Sequence, residues 1–471
     1  MNSNIYFVSL GCPKNLVDSQ VMLGLLKNEN FQIVDKPENA QVIVVNTCSF
    51  IESAKQESID TILEMASYKD SAQCKTLVMA GCLAQRYSKD LQKEIPEVDF
   101  FIGTGEYHRI AELVKESQNT RRICRSIHRM CRRQSGTQIR QNTKLPERIY
   151  INKPAFIHTE AHPRLQTGDF FSAYLKISEG CNRCCSFCII PKLRGHTRSR
   201  TVESLVEETK SLAQKGVKEL NIVAQDLTEY GMEYRYQDMT LEKLLPALCK
   251  VDGIEWIRLF YAYPDQFSNE LIEIMASEPK IVKYLDMPIQ HTNDRILKLM
   301  NRKFTRAQIF TFVEKLRKKM PNIFLRTSTI AGFPTETKSE HEDFLEDLKT
   351  LKFNHVGVFT YSKEEGTKAA EIANKEGMVP LQTRLSRQRQ IQKIHKANSL
   401  DQNRKLLNQT LTVLVEGPHP DTPLLLKGRH YGQAPEIDGQ VLINDGNAPI
   451  GSFVNVRISE TMPYDVVGCI I

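Results

Sequence analysis

Apolar and polar positions along the chain fall into three regimes. Over roughly the first 117 residues, short runs apolar on both faces (IYFVSLGC, QVIVVNTC, TLVMAGC, FFIGT) alternate with stretches of helical period such as VDSQVMLGLLKNEN and IESAKQESIDTILEMASY. Strands apolar on both faces belong to a parallel sheet covered by helices, so this block predicts a doubly wound α/β domain. A second block repeats the alternation six times, with expected strands at 173–178, 219–225, 256–262, 284–290, 324–332 and 355–361. Amphipathic stretches such as TVESLVEETKSLAQKG and SEHEDFLEDLKTLK separate them. Six βα units are two short of the closed eightfold barrel, which predicts a partial, TIM-like (βα)6 barrel with an open side. A long polar helix, Arg384 to about Lys405, then leads to five short strand-like runs spaced by Gly, Pro and Asp. These predict a small antiparallel β-barrel. The expected boundaries are 1–117, a linker at 118–166, 167–402 and 403–471.

A length of 471 residues agrees with about three domains. No apolar run reaches the roughly 18 residues of a membrane helix, and MNSNIYFVSLGC lacks the build of a signal peptide, so a cytoplasmic protein with no membrane contact is expected. Twelve cysteines in such a chain point to metal binding or catalysis in preference to disulfides. The net charge of +7 belongs to one stretch, Arg121 to Lys144, which holds eight basic residues and no acidic one; the remainder carries a net −1. That stretch reads either as a solvated tether or as a phosphate-binding arm.

Within EGCNRCCSFCIIP, residues 179–191, four cysteines occupy eight positions. Read as two Cys-x2-Cys pairs, Cys181, Cys184, Cys185 and Cys188 could offer four thiolates to zinc, although the pairs abut where structural zinc sites separate them with a loop. Read as Cys181-x3-Cys185-x2-Cys188, the stretch offers three thiolates after a strand, at a barrel mouth. Three ligands on a four-iron cluster leave one iron open to a substrate.

The Cx3Cx2C loop together with the sixfold βα pattern resembles the radical S-adenosylmethionine (SAM) enzymes. The resemblance implies that Cys181, Cys185 and Cys188 hold a [4Fe-4S] cluster, that its open iron chelates SAM, and that reduction releases a 5′-deoxyadenosyl radical. Cys184 falls outside the spacing. TIAGFPTET is similar to the family's glycine-rich segment near SAM, implicating Gly332, Pro334 and Glu336, and AQDLTEYG offers Gln225 or Asp226 to the SAM amino group. Each of these also fits an ordinary polar residue at a strand end. No residue is assigned as a general acid or base.

Cys12, Cys48 and Cys82 are far apart in sequence, yet each ends an apolar strand of the first block. Strand ends of a parallel sheet share one edge, where doubly wound folds bind ligands, so neighbouring strands would bring the three thiols together. Gly11 and Gly81 beside two of them would let a bulky cluster approach the backbone. Cys74, Cys124, Cys131, Cys249 and Cys469 share no pattern.

The order of blocks resembles the methylthiotransferases, which join a three-cysteine domain, a radical SAM barrel and a C-terminal TRAM barrel. This implies a second [4Fe-4S] cluster on Cys12, Cys48 and Cys82, one SAM as methyl donor to sulfur and a second as radical source. It also implies an electron donor such as a flavodoxin or ferredoxin, and a sulfur source. VSLGCPKNLVDSQ, YLKISEGCNRCCSFCIIPKLRG, YLDMPIQH and APEIDG look like the branch that modifies the β carbon of an aspartate in the twelfth small-subunit ribosomal protein. The branch that modifies a tRNA adenosine typically reads closer to FGCQMN at the first cysteine. From Lys405 to Ile471 four basic residues face seven acidic ones, a charge that suits a basic ribosomal protein better than RNA. A tRNA adenosine methylthiotransferase and a non-enzymatic iron-sulfur or zinc adaptor that binds RNA remain the alternatives. Lys192 and Arg194 read either as a grip on the target carboxylate or as solvated surface.

Overall fold

A computed structural model describes residues 3–116, 148–234 and 239–471. The basic stretch Arg121–Lys144, with Cys124 and Cys131, lies outside the described residues. The chain divides into two compact units, Met1–Thr167 with Lys192–Gly195, and Gly168–Pro191 with His196–Ile471.

The first unit is built on a parallel sheet of β1 (Asn4–Ser9), β2 (Gln32–Ile33), β3 (Val42–Thr47), β4 (Thr76–Gly81), β5 (Phe100–Ile102) and β6 (Ile149–Tyr150), in the order β2-β1-β3-β4-β5-β6. Every residue of β3 and β4 is buried, because both faces are covered. Val42 and Val44 pack with Val21 and Met22 of the helix Pro13–Asn28, while Ile43 and Val45 pack with Ile62 and Met65 of the helix Glu52–Ser71. The strand order reverses between β1 and β3, and the crevice at such a switch point, beyond the strands' carboxyl ends, is the ligand position of doubly wound sheets. The sixth strand comes from a stretch whose sequence reads as linker. Its two residues carry too little pattern to announce a strand.

In the second unit β7 (Ser172–Lys176), β10 (Glu219–Val223), β11 (Trp256–Leu259), β12 (Ile281–Asp286), β13 (Phe324–Ala331) and β14 (His355–Thr360) form an all-parallel sheet in the order β7-β10-β11-β12-β13-β14. β7 and β14 do not pair, which leaves the barrel open as the six units require. The helices Val202–Gln214 and Lys338–Leu351 form where the amphipathic pattern puts them; the Thr201 side chain caps the first and a Thr337–Glu340 capping box starts the second. β12 runs earlier than its expected span and stops at Asp286, two residues before Pro288, which has no N–H for the ladder. After β7 the chain turns into β8 (Ser178–Glu179), which pairs antiparallel with β9 (Arg198–Ser199).

The helix Leu381–Arg404 lies along β14, with Ile391 fully buried and the Gln388 amide donating to the Val358 carbonyl. It leads into a closed barrel of β15 (Thr410–His419), β16 (Thr422–His430), β17 (Val441–Asp445), β18 (Phe453–Thr461) and β19 (Val466–Ile470). Its pairings are antiparallel except β17 with β19, which is parallel. This small barrel is locked onto the larger one by polar groups taken out of solvent. Arg429 pairs with Glu219, the Tyr431 carbonyl accepts from Arg258, the Gly432 carbonyl bonds His355, and Asp438 accepts from the Tyr284 hydroxyl. Among the described residues no helix is long and apolar enough to cross a membrane.

Candidate functional site

The three cysteines of the first unit stand on neighbouring strands, since β1, β3 and β4 are adjacent in the sheet. Cys12 caps the helix that starts at Pro13, Cys48 directly follows β3, and Cys82 opens the helix that directly follows β4. Cys48 and Cys82 are buried and Cys12 is half-buried. Burial is the main force raising the Cys48 pKa, to about 12, and the neighbouring Cys82 and Cys12 thiols add to it. Burial likewise raises Cys82, where Cys12 adds to the shift and Arg194 opposes it. Thiols that repel one another's ionisation match a cationic iron core, which takes them as thiolates.

Gly11 and Gly81 serve the packing of the strand ends themselves. Both have positive φ, and a Cβ on Gly11 would meet the Cys48 Cβ at 2.7 Å, while one on Gly81 would meet Asn46 Oδ1 at 2.3 Å. Arg194, which belongs to this unit, is neither a grip on a substrate nor solvated surface. It is 2% exposed, pairs with Asp18 at 2.5 Å, and donates to Asn15 Oδ1 at 3.1 Å and to Cys82 Sγ at 3.4 Å.

In the second unit the cysteine loop follows β8. Cys181 and Cys185 are buried, Cys188 is half-buried, and Cys184 is exposed with its thiol donating to the Asn182 carbonyl. Burial raises the pKa of Cys181, with Glu229 adding most among its charged neighbours and Cys188 contributing. Cys188 rises to about 12 through burial and then Cys185. The loop is pinned from outside: Glu229 accepts from the Asn182 N–H at 2.8 Å, Asn301 donates to the Cys184 carbonyl at 2.6 Å, and the Ser186 N–H donates to the Met300 carbonyl. Cys185 Sγ has two polar neighbours, the Tyr263 hydroxyl at 3.3 Å and Arg302 Nη1 at 3.5 Å.

Among the described residues no three His, Cys, Asp or Glu side chains close on a single metal ion. A cluster's ligands each take a different iron and stand further apart than ligands that share one ion.

The residues expected near SAM are all in the second unit, and each is engaged by the protein. Gln225 donates to Glu179, which also binds the buried Lys176. Asp226 bonds Arg183 at 2.7 Å and the Thr228 N–H at 2.9 Å; burial raises its pKa and Arg183 opposes the shift. Gly332 has φ +74°, and a Cβ there would meet Arg384 Cγ at 2.3 Å. Pro334 lies in the turn that follows. Glu336 Oε2 accepts from the N–H groups of Gly332 at 2.6 Å and Phe333 at 3.0 Å, and Oε1 lies 3.3 Å from Arg387. Burial opposes its charge, yet His291, His341 and Arg387 draw the pKa down to about 2. Tyr263, Asn301 and Arg302 lie outside every string the sequence singles out, and Arg183 and Glu229 sit inside EGCNRCCSFCIIP and AQDLTEYG with no periodicity to mark their part.

Family models match three stretches: "Uncharacterized protein family UPF0004" at residues 4–103, "Radical SAM superfamily" at 175–348 and "TRAM domain" at 409–471. The chain is 44% identical over 471 residues to a protein of Geotalea uraniireducens named ribosomal protein uS12 methylthiotransferase RimO, covering 100% of this chain and 99% of that one. It is 47% identical to the Myxococcus xanthus protein of the same name, covering 99% and 92%. Among solved structures, the radical SAM methyltransferase TsrM of Kitasatospora setae, with cobalamin and a [4Fe-4S] cluster bound, aligns with TM-score 0.56 at 13% identity over 80% of this chain and 78% of that one. At that identity the likeness concerns the fold.

Proposed function

The chain belongs to the RimO family of ribosomal protein uS12 methylthiotransferases, and on that premise we infer that it attaches a methylthio group to the β carbon of an aspartate in ribosomal protein uS12. The end-to-end match at 44 to 47% identity carries this reading. The two three-thiol sets support it chemically. Cys181, Cys185 and Cys188 are assigned to one [4Fe-4S] cluster, and Cys12, Cys48 and Cys82 to another. When bound, the clusters supply an open iron for SAM, the electron that cleaves it, and an anchor for the sulfur that is transferred. Two SAM molecules serve each turnover, one as methyl donor and one as radical source. A flavodoxin- or ferredoxin-type donor and a sulfur source complete the reaction, which runs in the cytoplasm on uS12 or on the ribosomal subunit that carries it.

The chain's own residues hold these parts in place. Glu229 and Asn301 fix the cysteine loop, and Glu336 fixes the Gly332–Phe333 turn by taking both N–H groups. Gln225, Asp226, Gly332, Pro334 and Glu336 are accordingly read as the frame of the SAM pocket, with the Glu336 carboxylate acting through the turn it closes.

Charge on the small barrel favours a protein substrate over RNA. Arg429 is spent on Glu219 and Glu416 and Asp438 on the Tyr284 hydroxyl, which leaves the barrel's surface with three basic residues against five acidic ones. Such a surface attracts a basic ribosomal protein and repels phosphate. The direct test is an anaerobic assay with reduced, iron-reconstituted enzyme, SAM and uS12. The reading expects 5′-deoxyadenosine together with a methylthio mass gain on uS12, both lost in Cys185→Ala. Modification of an anticodon-loop adenosine, with uS12 untouched, would contradict it.

A further inference from the structure

Arg302 is a buried cation without a carboxylate. The residue is 6% exposed, no acidic side chain among the described residues lies within ion-pair distance of it, and its Nε has no acceptor. Its contacts are the Pro288 carbonyl at Nη2, the rings of Tyr263 at 4.0 Å and Phe304 at 4.9 Å, and Cys185 Sγ at Nη1. Arg183, which lies 4.4 Å from the same Tyr263 ring, differs in having Asp226 and Asp265 as partners. So does Arg194 in the first unit, which meets Cys82 while paired to Asp18. Burying a guanidinium with no counter-charge is costly, so the folded protein needs an anion at this point. The nearest candidate is the sulfur of Cys185, which becomes a thiolate when it ligates iron. Tyr263 is aimed at the same atom: its hydroxyl is 3.3 Å from Sγ and, against a thiolate, can only donate.

We propose that Arg302 and Tyr263 are positioning residues that set the reduction potential of the cluster on Cys181, Cys185 and Cys188 by donating to the sulfur of Cys185. The proposal rests on the assignment of those three cysteines as cluster ligands. In the step concerned, one electron enters from a low-potential one-electron reductant, no bond forms or breaks, and the thiolate-ligated cluster gains one negative charge. An adjacent guanidinium and a hydroxyl donor stabilise the more negative state more strongly, which raises the potential; hydrogen bonds to sulfur are among the known levers on such potentials. Arg194 is already neutralised by Asp18, so it is not an equivalent unpaired cation beside the first unit's cysteines.

The test is a dithionite titration of the full-length protein with both clusters reconstituted, followed by electron paramagnetic resonance with and without SAM. The Cys185 cluster is the one whose signal responds to SAM. Arg302→Gln is expected to lower its reduced-to-oxidised ratio at fixed potential at least tenfold, a shift of about 59 mV toward negative for one electron. Tyr263→Phe, which keeps the ring, should shift the ratio the same way by less, and Arg302→Lys, which keeps the charge, should stay within about threefold of wild type. The signal that ignores SAM should not move in any variant. An unmoved midpoint in Arg302→Gln at wild-type iron content overturns the proposal; if that variant takes up no iron, an unmoved midpoint in Tyr263→Phe does so instead. A wild-type protein with two clusters and no SAM-responsive signal would overturn the ligand assignment itself, and the proposal with it.

Discussion

Glu219 and Arg429 meet at 2.6 Å although 210 positions separate them, and both side chains are shielded from solvent. Glu219 starts β10 of the partial barrel and Arg429 lies near the end of β16, so one ion pair ties the small barrel to the large one. Arg258 on the neighbouring strand shares the same carboxylate at 3.1 Å. The small barrel is thus fixed to the large one by charges that water cannot screen.

Removing this carboxylate should be costly. Glu219→Gln leaves the buried Arg258 without a carboxylate and Arg429 with Glu416 alone, and an expected loss of about 3 to 5 kcal/mol follows from breaking one side of a buried pair. Urea denaturation of the variant against wild type measures it; a loss under about 1 kcal/mol would show that solvent reaches the pair.

The same carboxylate makes stability fall in acid. Burial alone would raise the Glu219 pKa, but Arg429 and Arg258 outweigh it and bring it to about 2, against an ordinary value of 4.5. A depressed folded-state pKa means that the unfolded chain takes up the proton first. The contribution is therefore complete above about pH 4.5 and is lost as the pH falls toward about 2, amounting to roughly 3 kcal/mol. Glu336 titrates over the same window, so wild type should steepen there and Glu219→Gln should keep only part of the slope.

Glu336→Ala separates a frame role from direct contact with SAM. Loss of its bonds to the Gly332 and Phe333 N–H groups should cost about 2 to 3 kcal/mol of folding stability as well as weakening SAM binding. Thermal denaturation and equilibrium SAM binding, read together, decide: weakened binding at unchanged stability would mean that the carboxylate touches SAM.

Cys48→Ala and Cys185→Ala should fail differently. Each is expected to halve the iron content, but Cys48→Ala should abolish methylthiolation while SAM cleavage survives in part, and Cys185→Ala should abolish both. Full methylthiolation by Cys48→Ala would refute the assignment of the first-unit cysteines.

The architecture could be read from the chain wherever the pattern was long. Both-face apolar runs announced β1, β3 and β4, and because each ends beside a cysteine, the sequence places Cys12, Cys48 and Cys82 at the ends of strands that the sheet order makes neighbours. The six βα units and five short terminal strands were equally plain. Two-residue strands such as β6 were not, since two positions carry no period. The supporting side chains were the other blind spot. Arg302 sits in NRKFT and Arg194 in KLRG, where a cation looks like surface; only tertiary folding turns one toward Cys185 and the other toward Asp18 and Cys82. The turn glycines were legible as glycines, but their neighbours are Cys48, Asn46 and Arg384, contacts that no local string encodes.

The central claim, a methylthio transfer to uS12, is tested most directly by mass spectrometry of small-subunit ribosomal proteins and tRNA nucleosides from a strain lacking this gene and from its parent. The expected result is one methylthio group missing from the uS12 aspartate with tRNA unchanged. A group missing instead from the anticodon-loop adenosine, with uS12 intact, would contradict it.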